Sequence, residues 1–113
     1  MHIPKFSRVQ CVLLDPSCSG SGIVRDITRL LDAPVEDAQH LSRVLKLQGF
    51  QSMCLERAAS FPSVQCIAYS TCSIHTQENE EVVYKFLASS IGQQYVLKLP
   101  EGLASWPRRG IRA

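Results

Sequence analysis

The chain has 113 residues, 45% of them hydrophobic and 19% charged, with a formal net charge of +2. That size suits one small domain or part of a larger one, and the balance is that of a globular chain, not a disordered or fibrous one. The apolar runs are too short to cross a bilayer, residues 1–7 show no apolar signal segment, and +2 is weak for a purely electrostatic nucleic-acid binder.

Val9-Gln10-Cys11-Val12-Leu13-Leu14 is an almost continuous apolar run of the kind that forms a strand buried on both faces of a parallel sheet. Asp15-Pro16 and the Ser/Gly-rich residues 17–22 stop it and predict a loop. Ile23, Ile27, Leu30 and Leu31 then fall at helical spacing, with Arg25 and Arg29 sharing another face. Pro34, Glu36 and Asp37 suit the first turn of a longer helix. Its apolar stripe runs through Leu41, Val44, Leu47, Phe50, Cys54, Ala58 and Phe61, and Gly49 marks a possible break or close contact.

Val64-Gln65-Cys66-Ile67-Ala68-Tyr69 predicts a second buried strand, followed at once by Ser70-Thr71-Cys72-Ser73. Thr76 is placed to cap a third helix with Val82, Val83, Phe86 and Leu87 on one face and a Glu81–Lys85 pair outside. Tyr95-Val96-Leu97-Lys98-Leu99 is a candidate further strand before a tail carrying Arg108, Arg109 and Arg112. The order strand, helix, strand, helix predicts an α/β fold with a parallel sheet and a right-handed crossover. Two or three strands cannot cover both faces and both edges of such a sheet, so the expectation is half of a doubly wound domain.

Five cysteines, an odd number with no C-x-x-C pair, point to free thiols in a reducing compartment and to no metal site. Cys11 and Cys66 lie in the apolar runs and Cys54 on the apolar side of the long helix, where cysteine packs as a small hydrophobe. Cys18 and Cys72 lie in the loops that leave the two strands. Ligands of open parallel sheets bind outside the carboxyl ends of the strands. If the strands are neighbours, Asp15, Cys18 and Cys72 therefore converge on one crevice. Other loop chemistries fit poorly: no Gly-Lys-Ser/Thr follows residues 17–22, Ser19 stands where a nucleophile elbow needs glycine, and the third glycine of a dinucleotide fingerprint is missing.

The blocks DPSCSGSG at residues 15–22, YSTCS at residues 69–73 and ENE at residues 78–80 occur in the order in which they resemble the Sun-domain (Nop/Sun) RNA cytosine-5 methyltransferases. Pro16-Ser17, where most of that family has alanine-proline, is similar to the branch acting on large-subunit ribosomal RNA. The resemblance implies a partial Rossmann-like methyltransferase fold that uses S-adenosyl-L-methionine, an RNA partner, no membrane, and a nucleolar setting in a eukaryote or a cytoplasmic one otherwise.

It further implies that Cys72 is the nucleophile for carbon 6 of cytosine, that Cys18 assists product release, and that Asp15, with Pro16, lies by the cofactor and target base. Carbon 5 of cytosine is a poor nucleophile until a thiolate adds at carbon 6, which is why the chemistry needs a reactive cysteine. Arg25 and Arg29 are candidates for RNA phosphate contact beside the ordinary reading of a solvated surface. The family's glycine-rich cofactor loop has no counterpart before Val9, so residues 1–113 are expected to be the carboxyl half of a catalytic domain, inactive alone. The competing expectation is a non-catalytic remnant that binds RNA or protein.

Overall fold

Two apolar runs with β-branched and aromatic members become the strands β1, Cys11–Leu14, and β2, Cys66–Tyr69. In the computed structural model, which describes residues 4–23 and 38–111, they pair in parallel with Cys11 opposite Cys66 and Leu14 opposite Tyr69. The flanking bonds Gln65 N–H to the Gln10 carbonyl (2.7 Å) and Ser70 N–H to the Leu14 carbonyl (2.9 Å) extend the ladder past each end. The expected parallel neighbours are therefore present, each strand two residues shorter at its start than the apolar run.

Helix α1, Ala38–Ala59, is free of proline and continuous through Gly49, where a Cβ would meet nothing within 4 Å. The possible break at Gly49 does not occur, because a single glycine costs a helix only about 1 kcal/mol. Ser60 closes the last turn through its backbone bond to the Arg57 carbonyl, and Pro62 follows. The expected start at residues 34–37 and the basic pair Arg25 and Arg29 lie outside the described residues. The buried face of α1 is Val44, Gln48, Gln51, Leu55, Ala58 and Ala59, whereas Leu41 and Phe50 of the expected stripe are exposed. The stripe is displaced because two glutamines face inward, each with polar partners that an apolar side chain could not serve.

A 3₁₀ turn, Thr76–Glu78, leads into α2, Glu80–Ala88, which has acids in its first turn and Lys85 in its last, as the helix dipole favours. Asn79, not Thr76, takes the N-cap position, and its side chain serves the preceding loop instead of the helix. Glu81 and Lys85 meet through Gln48, whose amide donates to Glu81 (2.9 Å) and accepts from Lys85 (2.8 Å).

Leu55, Ala59, Val82 and Phe86 form the core, with Leu14, Ile67, Tyr69 and Tyr95 packed against it. Full burial of Val82 alone contributes about 1.5–3 kcal/mol. Both helices thus cover the sheet face that carries Leu14, Ile67 and Tyr69. The other face is open, with Leu13 77% exposed and Cys11, Cys66 and Ala68 exposed beside it. The expectation of strands buried on both faces is corrected accordingly: alternation along each strand sends every second side chain to a face that no helix covers among the described residues. Residues 95–99 do not form a strand. Val96, Leu97 and Leu99 are exposed there with no neighbouring strand to bond among the described residues, and only Tyr95 is drawn in, its ring 5.4 Å from that of Phe86.

Candidate active site

Parallel pairing puts the carboxyl ends of β1 and β2 side by side, so the loops at residues 15–22 and 70–75 leave the sheet at the same edge. Asp15 is exposed there, its Oδ1 accepting a bond from the Ser70 hydroxyl at 3.2 Å, and Pro16 is half-buried behind it. The Sγ atoms of Cys18 and Cys72, separated by 54 residues in sequence, are 3.2 Å apart. Both thiols are free. The carboxylate and two thiols expected in one crevice are brought together.

The loops are stitched to each other. Gly22 N–H donates to the Cys72 carbonyl at 2.8 Å, and Ile74 N–H donates to the Ser21 hydroxyl at 2.9 Å. Gly20 supplies the single left-handed turn among the described residues, at φ 70°. Gly22 must lack a side chain, since a Cβ there would stand 2.7 Å from the Cys72 carbonyl oxygen. On the other flank of Cys72, the Thr71 hydroxyl donates to Asn79 Oδ1, and Asn79 Nδ2 donates to the Ser73 carbonyl at 2.9 Å. Asn79 therefore orders the loop that carries Cys72.

Glu78 is the residue that the sequence reading left without a role. Its side chain is fully buried. Oε1 accepts from Ser19 N–H (2.8 Å) and Gln51 Nε2 (3.2 Å), and Oε2 accepts from the hydroxyls of Ser19 (2.6 Å) and Ser73. Burial alone would raise its pKa, but the bonds from Ser19, Ser73 and Gln51 outweigh it and hold the carboxyl below its ordinary value. The Tyr69 hydroxyl donates to the Glu78 carbonyl at 2.6 Å, and burial, aided by the Glu78 charge, pushes that phenol well up. The available signal was the surplus of serines in both loops, more donors than two short turns can use between themselves, beside one nearby acid.

The thiol contact with Cys18 pushes the Cys72 thiol above its ordinary value. Desolvation and the electrostatic influence of Cys18 and Asp15 add to this, against a lowering backbone bond. The exposed Asp15 carboxylate at this edge is an acceptor whose chemistry suits a cationic sulfonium or a hydroxyl-bearing ligand. Among the described residues, no three His, Cys, Asp or Glu side chains gather as metal ligands. None of the described helices is long and apolar enough to cross a membrane.

Residues 2–101 match the family described as 16S rRNA methyltransferase RsmB/F. The chain is 43% identical to the 25S rRNA (cytosine-C(5))-methyltransferase NSUN5 of Arabidopsis thaliana, over 96% of the chain and 19% of that protein. It is 42% identical to the 28S rRNA (cytosine-C(5))-methyltransferase of Mus musculus, over 95% of the chain and 22% of that protein. Against the 26S rRNA (cytosine-C(5))-methyltransferase nsun-5 of Caenorhabditis elegans the identity is 40%, over 96% of the chain and 24% of that protein. The chain therefore spans about a fifth of the length of these relatives. Their names carry large-subunit ribosomal RNAs, the branch to which Pro16-Ser17 pointed.

Proposed function

The chain belongs to the RsmB/F family of rRNA methyltransferases, and from that premise we propose that it carries the nucleophile loops of an RNA cytosine-C5 methyltransferase acting on large-subunit ribosomal RNA. One observation carries the reading: two free thiols from separate strands meet at 3.2 Å beside an exposed aspartate. We further propose that the chain is the carboxyl half of a Rossmann-like catalytic domain. The cofactor half would supply further strands and cover the open sheet face of Leu13, and the protein would act in the nucleolus.

Cys72 is the nucleophile. Its thiolate forms a bond to carbon 6 of cytosine, and the ring electrons move to carbon 5, which becomes an enamine carbon. Asp15, at the same edge, takes up the proton that Cys72 gives up and, so protonated, donates a hydrogen bond to ring nitrogen 3, which stabilises the addition. Asp15 and Pro16 are the residues of this chain that would hold S-adenosyl-L-methionine, which when bound would supply an electrophilic methyl group on a cationic sulfonium. Neutralising the Asp15 charge also removes one of the influences that hold Cys72 as a thiol. After methylation the carbon 5 proton passes to solvent water at this exposed edge, its bonding electrons restore the double bond, and Cys72 departs as thiolate. Cys18, in contact with the departing sulfur, assists that release. A target base inside a duplex must be unstacked before Cys72 can reach it, so looped or single-stranded RNA is the better substrate.

The test is gel electrophoresis of labelled, looped RNA incubated with S-adenosyl-L-methionine and the full-length protein carrying this segment. Cys18→Ala should accumulate a denaturation-resistant protein–RNA complex, because addition proceeds and release does not. Cys72→Ala should abolish both methylation and the complex. Trapping by Cys72→Ala with none by Cys18→Ala reverses the two assignments. Trapping by neither, with both variants folded by circular dichroism, overturns covalent catalysis and leaves a non-catalytic remnant.

A further inference from the structure

The thiol contact needs an agent that fixes the distance between two loops 54 residues apart in sequence. The sheet alone does not do this, since each cysteine lies well beyond its strand, Cys18 after Asp15-Pro16-Ser17 and Cys72 after Ser70-Thr71. We propose that Glu78 is the positioning residue of the thiol pair, binding the residue that follows each cysteine and so setting the contact between Cys18 and Cys72. This deepens the methyl-transfer reading and, for its catalytic consequence, rests on it.

The geometry is specific to that task. Ser19 follows Cys18 and Ser73 follows Cys72, and the hydroxyls of both converge on one oxygen, Oε2 of Glu78. The other oxygen takes Ser19 N–H and is steadied from α1 by Gln51, which also binds the Ser17 carbonyl at 3.0 Å, on the other side of Cys18. Cys18 is thus gripped at the residues before and after it. Cys72 is gripped in the same way: Asn79, next to Glu78, holds Thr71 and the Ser73 carbonyl. Burying a carboxylate is costly unless it is fully bonded, and only the ionised form offers acceptors to four donors at once. A site that needed only packing here would be served by an apolar residue. An ionised acid that ties one loop to the other is what a fixed thiol–thiol distance requires.

Closure of the Cys18–Cys72 disulfide by 2,2′-dipyridyl disulfide measures that distance without any methyl transfer. One thiolate displaces a thiopyridone to form a mixed disulfide, and the second thiolate then displaces the other. Two thiols are oxidised and one probe molecule is reduced to two thiopyridones. The rate of the second step is followed on the full chain as the cross-linked peptide containing Cys18 and Cys72, by mass spectrometry. Glu78→Ala should slow it at least tenfold and Ser73→Ala to a lesser extent. Val82→Ala, a core change that touches neither loop, should leave it at the parental rate. In the methyl-transfer assay of the full-length protein, Glu78→Ala should lower kcat with little change in KM for RNA.

Closure at the parental rate in folded Glu78→Ala overturns the proposal. Should that variant not fold, closure at the parental rate in Ser73→Ala overturns it instead. Slowed closure in a protein that never forms an RNA adduct upholds the positioning role and removes the methyl-transfer reading.

Discussion

Replacing Gly22 by alanine places one methyl group where the two loops are closest. The new Cβ would lie 2.7 Å from the Cys72 carbonyl oxygen, 3.3 Å from its carbon and 3.6 Å from Ile74 Cγ2. The first two are backbone atoms, so no side-chain rotation relieves the clash, and the main chain must retreat by a few tenths of an ångström. Overpacking of that kind costs about 1–3 kcal/mol. The retreat also stretches the 2.8 Å bond from Gly22 N–H to the same carbonyl, worth about 1 kcal/mol. Against a total stability of about 5–15 kcal/mol this is a large loss. In urea, followed by circular dichroism, the midpoint should fall by roughly 1 M or more, given slopes of 1–3 kcal/mol per molar. Closure of the Cys18–Cys72 disulfide should slow in the same variant, because the displaced carbonyl belongs to Cys72 itself. A midpoint and a closure rate both indistinguishable from the parent would refute the idea that Gly22 is glycine for the sake of that approach.

Alkylation of Cys72 by iodoacetamide, resolved by peptide mapping, should have its pH midpoint above that of an ordinary cysteine, and Cys18→Ala should move it down, since the Cys18 contact is the leading cause of the upward shift. Gly49→Ala should stabilise the chain by about 0.8–1 kcal/mol in urea titration, because the position is helical and a Cβ meets nothing within 4 Å. Acid should weaken the fold through Glu78. Its folded pKa lies below the unfolded value of about 4.3, so its contribution is present above that pH and is lost as pH falls through the folded value. A Glu78→Ala variant that folds should show a smaller loss of midpoint between pH 5 and pH 3.

The element order and the site edge were legible because they depend on local pattern. A continuous apolar run ended by Asp15-Pro16, and a second ended by Ser70-Thr71, suffice to place Asp15, Cys18 and Cys72 beyond the carboxyl ends of two strands. What escaped depends on partners distant in sequence. Gln48 and Gln51 face inward because the loops and α2 supply polar groups for them, which the helical period cannot show, and so Leu41 and Phe50 are left outside. Glu78 looked like one of several acids at a helix start. It became the link between the loops through Ser19, 59 residues away, and Ser73, five residues away. Residues 95–99 have the composition of a strand, but composition does not supply the neighbour that a strand requires.

The separation of Cys18 and Cys72 along the chain also governs when the pair comes into being. Closing a loop of 54 residues costs an unfolded chain about 4 kcal/mol of entropy. Before folding, each thiol therefore meets the other only as a dilute stranger. The contact is non-local and depends on β1 and β2 zipping in parallel, which is among the slower kinds of event in folding. During synthesis, Cys18 emerges well ahead of its partner and behaves as an isolated cysteine until β2, Glu78 and the second loop have followed. The effective concentration of one sulfur at the other then rises in a single cooperative step, so the arrival of the thiol pair reports that the parallel sheet has formed.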